Sequence, residues 1–190
     1  MYQRAQADAK VRGMGTTLTA LAIEDGSAHL AHVGDSRCYL IRDGAMSQLS
    51  SDHTLVARMV SEGKITAEQA EVHPQRSILT RALGAEPEVE VDTLELTLAP
   101  GDRLLICSDG LSSVVPEERI RGLVADSKDL DEACTRLIEE ANAIGGPDNI
   151  TVIVLEAAGV PAAGCRGTRA TMARASRSVF ARMPSSRLAR

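Results

Sequence analysis

The run Leu104-Leu105-Ile106-Cys107 is apolar without interruption and is followed at once by Ser108-Asp109-Gly110-Leu111. A strand with no polar alternation is one buried on both faces, so it constrains the chain to build layers around it. It also puts the Asp109 carboxylate at the end of a rigid central element. Gly145-Gly146-Pro147-Asp148-Asn149 repeats the junction in reverse, leading into an apolar strand pattern over residues 150–155. Ala31-His32-Val33-Gly34-Asp35-Ser36-Arg37 places a third carboxylate directly after an apolar stretch. Carboxylates held this firmly suit a hard divalent cation, and no clustered His or Cys residues offer a zinc or copper site.

The dipeptide Asp-Gly proves little by itself, since it occurs at 25, 43 and 109. At 25 and 43 it separates short strand patterns and reads as a hairpin turn. Asp109 differs because Leu111-Ser112-Ser113-Val114 continues as a helical start and not as a return strand. The segment around Asp148 keeps a bland alternative, in which Gly ends a helix, Pro blocks its continuation and Asp or Asn turns into the strand.

The remaining pattern predicts four short strands over residues 16–23, 28–33, 37–42 and 45–50, in an antiparallel meander. Asp52 is expected to cap a short helix carrying Leu55, Val56, Met59 and Val60, and Thr66 with Gln69 has capping-box spacing. Val89 and Val91 alternate in one phase and Leu94, Leu96 and Leu98 in the other, which fits two strands or one bent strand. Pro116 suits the first turn of a helix bearing Ile120, Leu123 and Val124. Asp129 with Glu132 can start another, whose stripe is Leu130, Ala133, Cys134, Leu137, Ile138 and Ala141. Strands and helices are segregated, which predicts an α+β fold: a layered α-β-β-α sandwich of two antiparallel sheets flanked by helices.

In order and spacing, Gly13-Met14-Gly15-Thr16-Thr17, His32-Val33-Gly34-Asp35-Ser36-Arg37, Thr80-Arg81-Ala82-Leu83-Gly84, the Ser108-Asp109-Gly110 segment and Gly146-Pro147-Asp148-Asn149 resemble the metal-dependent protein phosphatases of type 2C, bacterial Ser/Thr branch. The resemblance covers residues 13–156 almost continuously. It implies Asp109 and Asp148 as ligands of a catalytic pair of Mn²⁺ or Mg²⁺ ions, and Asp35 as a ligand of a third ion shared with Asp109. It implies no catalytic side chain, the nucleophile being water activated by the ions, and gives Arg37 and the four histidines structural roles. Phosphorylated proteins and Ser/Thr protein kinases become the expected partners, and a cytoplasmic monomer the expected form. The family's opening segment, with further metal ligands and a phosphate-binding arginine, has no counterpart before Met1. The expectation is therefore an N-terminally partial domain with weak or no activity. A non-catalytic phosphatase-like binding module and a sporulation-type phosphatase of anti-sigma-factor antagonists are the alternatives.

Length and charge agree with a domain plus a tail. Residues 1–156 hold 14 Lys and Arg against 26 Asp and Glu, whereas residues 157–190 hold seven Arg and no acid. The partition expected is 1–156 as a partial phosphatase domain and 157–190 as a basic, disordered tail. An acidic domain whose sole aromatic residue after Tyr2 is Tyr39 has neither the charge nor the stacking surface for nucleic acid. Cys38, Cys107, Cys134 and Cys165 are widely spaced and read as reduced thiols. No stretch is long and apolar enough for a membrane span, and the polar start is not a signal peptide.

Overall fold

The computed structural model describes residues 1–157. The reading of 158–190 as a tail lies outside the described residues. Within them the chain forms two compact units and passes between them three times: Met1–Ser36 with Leu49–Thr97, and Arg37–Gln48 with the chain from Leu98 onward.

The first unit opens with α1 (Tyr2–Ala7) and a short 3₁₀ turn, Ala9–Val11. Its sheet has the order β1 (Leu18–Glu24), β2 (Ser27–Val33), β5 (Asp92–Thr97), all antiparallel. Asp25 and Gly26 take left-handed φ values of 48° and 81° between β1 and β2, the hairpin role expected of them. The register aligns Thr19, His32 and Asp92 across one face. Between Leu49 and β5 come α2 (Leu55–Ser61) and α3 (Ala67–Glu71). Thr54 caps α2, its hydroxyl accepting from the Ala57 N–H, so the cap falls two residues later than the Asp52 expected from sequence. The Thr66–Gln69 capping box is present. A single strand, β5, replaces the two-strand option, and Val89 and Val91 lie before it outside any strand.

The second unit carries the order β4 (Ala45–Gln48), β3 (Arg37–Arg42), β6 (Arg103–Cys107), β7 (Val152–Glu156), again antiparallel throughout. One face of this sheet presents Tyr39, Ile41, Leu105, Cys107, Val152 and Val154 to a core completed by three helices. These are α4 (Asp109–Ser112), α5 (Glu117–Asp126) and α6 (Leu130–Ala143). The α6 stripe is buried as its periodicity requires, with Asp129 accepting from the Glu132 N–H at its start. Pro116 is the N-cap of α5 and not its first helical residue. Arg103 reaches from β6 to the Val124 and Ser127 carbonyls, tying the end of α5 to the sheet. Ala157 still belongs to this unit, since its N–H donates to Asp102 O and its carbonyl accepts from Gly101.

Candidate metal centre

β6 and β7 pair up to Cys107 and Val152, and the two candidate carboxylates occur just beyond that last pair. Asp109 opens α4 at the end of β6; Asp148 precedes β7. Three contacts bring the two junctions together. The Ser108 N–H donates to Thr151 O at 3.0 Å, continuing the ladder by one rung. The Ser108 hydroxyl donates to Asn149 O at 3.0 Å and accepts from Thr151 N–H at 3.1 Å. Gly110 is pressed so closely on this loop that a Cβ there would stand 2.4 Å from Asn149 O. That approach, more than any turn, explains why glycine follows Asp109.

The electrostatics agree with the placement. Burial pushes the Asp109 carboxyl above the usual carboxylate range, and the negative charge of Asp148 pushes it further in the same direction. The Gly110 N–H opposes both and does not overcome them. Two carboxylates that repel each other at the end of a sheet are the kind of oxygen donors that suit a hard divalent cation, whose charge would relieve the repulsion. Among the described residues no group of three or more His, Cys, Asp or Glu side chains converges on a metal position.

Asp35 lies in the first unit, half-buried in the turn after β2. Its neighbours are clamped on both sides. Gly34 donates its N–H to His53 Nδ1 at 3.1 Å and accepts from the His53 N–H at 2.7 Å, while the Ser36 hydroxyl meets that of Thr17 at 3.0 Å. The Thr19 hydroxyl donates to Ser36 O. A Cβ on Gly34 would lie 2.3 Å from the Thr17 methyl carbon, so only glycine fits.

Arg37 has a structural setting, donating to Tyr39 Oη at 3.1 Å and to Glu117 at 3.4 Å. The histidines are likewise engaged by protein groups. His29 approaches Glu95, and His73 Nδ1 accepts from the Gln75 N–H. His32 contacts Thr19 through Nδ1 and the Gly34 and Ser51 carbonyls through Nε2. His53 Nε2 donates to Asp92, which also takes Arg81 at 2.7 Å. His32 and Asp92 line a cavity of about 340 Å³, but both spend their hydrogen bonds on the protein. Sequence reasoning missed Ser108 and the His53–Asp92–Arg81 chain; a serine between an apolar strand and a helical aspartate was the visible trace of the first.

Comparisons with known proteins give the same direction. Residues 2–143 match the protein phosphatase 2C family. The serine/threonine phosphatase stp of Listeria innocua is 43% identical over 152 residues, which are 80% of this chain and 60% of that protein. Protein phosphatase PhpP of Streptococcus pneumoniae is 44% identical over 148 residues, 78% of this chain and 60% of PhpP. The chain therefore spans about 60% of the length of these relatives. The crystal structure of the Mycobacterium tuberculosis serine/threonine phosphatase PstP/Ppp superposes with a TM-score of 0.79 at 43% identity, covering 83% of this chain and 66% of that one. The catalytic domain of PstP in complex with two manganese ions gives 0.73 at 41% identity, covering 80% of this chain and 63% of that one. The shared architecture is the α+β fold of two antiparallel sheets flanked by helices expected from the sequence. With Asp109 and Asp148 at adjoining strand ends and this match over most of its length, the chain belongs to the protein phosphatase 2C family.

Proposed function

We propose that this chain is the metal-binding portion of a bacterial protein serine/threonine phosphatase, with Asp109 and Asp148 as ligands of its catalytic cation pair and Asp35 as a ligand of a further ion. The observation that carries the reading is the Asp109–Asp148 pairing across the β6–β7 end, in which burial and like charge both call for a cation. Mn²⁺ or Mg²⁺, when bound, would supply a Lewis acid for phosphate and lower the pKa of water at neutral pH. The chain's own groups hold that site and leave the nucleophile to solvent. The Ser108 hydroxyl is committed to Asn149 and Thr151, and Cys107 is buried, so neither side chain is disposed to attack phosphorus. The substrates are phosphoserine and phosphothreonine in proteins, the enzyme opposing Ser/Thr kinases as a cytoplasmic monomer whose domain runs through Ala157, one residue past the boundary expected from the sequence, with the basic tail after it.

The test is phosphatase activity of this chain, and of a form extended to the length of its relatives, toward aryl phosphate and phosphothreonine peptide. The extended form is expected to turn over only with Mn²⁺ or Mg²⁺, and this chain weakly or not at all, because two carboxylates make an incomplete shell. Full turnover in excess chelator would sink the metal reading. Phosphopeptide binding without turnover by the extended form would favour a non-catalytic recognition module instead.

A further inference from the structure

We propose that Ser108 is a positioning residue that sets the separation of Asp109 and Asp148, an inference that rests on the metal-centre reading above. At this point β6 must stop and α4 must start. The Ser108 carbonyl is therefore turned into the helix, where it accepts from the Leu111 N–H at 3.1 Å. An antiparallel ladder would have used that carbonyl for the opposing Thr151 N–H. The Ser108 hydroxyl takes its place, accepting from Thr151 N–H at 3.1 Å, and its own proton goes to Asn149 O at 3.0 Å. One oxygen thus bonds the main chain on the far side of Asp148 while its residue immediately precedes Asp109. The Gly110–Asn149 approach closes the same gap from the other side. Alanine at 108 would leave the Thr151 N–H and the Asn149 carbonyl without these partners, and the two carboxylates would be free to separate under their mutual repulsion.

The full chain, Ser108→Ala and Ser108→Thr can be compared by amide NMR, reading Thr151 N–H exchange and the Mn²⁺ concentration that broadens the Gly110 and Asn149 amides. In the wild type, Thr151 is expected to be protected and the two amides to broaden together. In Ser108→Ala, Thr151 protection should fall and broadening should need about tenfold more Mn²⁺, the usual loss on removing a group that orients a ligand. Ser108→Thr, which keeps the hydroxyl, should restore both. An alanine variant with lost Thr151 protection but the wild-type Mn²⁺ response overturns the positioning role. Absence of broadening at Gly110 and Asn149 in the wild type overturns the metal-centre reading itself. If Ser108→Ala does not fold, Ser108→Cys carries the same comparison, since it keeps the side chain in place with a weaker donor and acceptor.

Discussion

Asp43 and Asp109 both precede glycine, yet the structure gives them different work. Asp43 and Gly44 take φ values of 52° and 76° in the hairpin between β3 and β4, a conformation Asn adopts equally well. Asp43→Asn should leave Mn²⁺ binding unchanged. Asp109→Asn should weaken it strongly while raising the Tm of the metal-free chain, because it removes a charge held in an unfavourable place beside Asp148. Equal Mn²⁺ titrations for the two variants would remove Asp109 from the site. Gly110→Ala should cost about 1–3 kcal/mol in chemical denaturation, the typical penalty for overpacking, because its Cβ has no space beside Asn149 O. At this scale the placement of Asp109 and Asp148 at strand ends was legible because one follows an apolar run and the other precedes one. Ser108 was not, since its hydroxyl replaces a carbonyl only once β7 is in register beside β6. Register is a tertiary fact that local spacing does not encode.

Among the elements, the segment between β4 and β5 has the most to reveal, because it has few apolar anchors and is tied at its ends by polar bonds. His53 N–H and Nδ1 grip Gly34, His53 O accepts from Thr80 N–H at 2.8 Å, and His53 Nε2 meets the Asp92 that also holds Arg81. His53→Ala keeps the main-chain bonds to Gly34 and Thr80 but removes the imidazole's bonds to the Gly34 N–H and Asp92, and should therefore loosen the segment and cost about 1–3 kcal/mol through the buried N–H left unpaired. Limited trypsin digestion offers the check: cleavage at the exposed Arg58 and Lys64 should accelerate, and unchanged cleavage would mean the ends are secured otherwise. The helices of the second unit were readable from sequence because their buried stripes follow the helical period. The cap of α2 falls two residues later than the sequence suggests, because Asp52 and Thr54 are both favoured capping types just before the same apolar stripe. The Val89 and Val91 alternation promised a strand, but β2 pairs β5 only from Asp92 onward, and without a ladder partner alternation alone does not make one.

For the molecule as a whole, acid stability should depend on a few paired carboxylates. Asp102, almost wholly buried, accepts from Arg42 Nε and Nη2, at 2.8 and 2.5 Å, and from the Ala99 N–H, which hold its carboxyl below the ordinary range. Asp92 is held below it by His53 and then Arg81. A carboxyl lowered on folding contributes stability that is complete above its unfolded value, near 4, and is lost as pH falls through the lower folded one. Urea midpoints should thus be flat from about pH 6 to 5 and drop below about pH 4. Asp102→Asn should cost about 1–3 kcal/mol of stability at neutral pH, seen as a lower midpoint, and flatten the acid limb. An acid limb as steep as the wild type's would assign that dependence elsewhere.

Tyr39 gives the chain a built-in optical reporter. The sequence has no tryptophan, so near-ultraviolet signals come from tyrosine with little else to mask them. Tyr39 is fully buried in the core of the second unit, its hydroxyl donates to Glu117 at 3.2 Å, and burial holds its phenol well above the ordinary value. A phenol so raised keeps its proton until the surrounding core opens, and its stabilising effect is lost as alkalinity climbs past the unfolded value. Tyr2, the other tyrosine of the sequence, lies in the first unit, so in a Tyr2→Phe chain the appearance of phenolate absorbance in base times the opening of the second unit, label-free, and lets its unfolding be followed separately from any probe placed in the first.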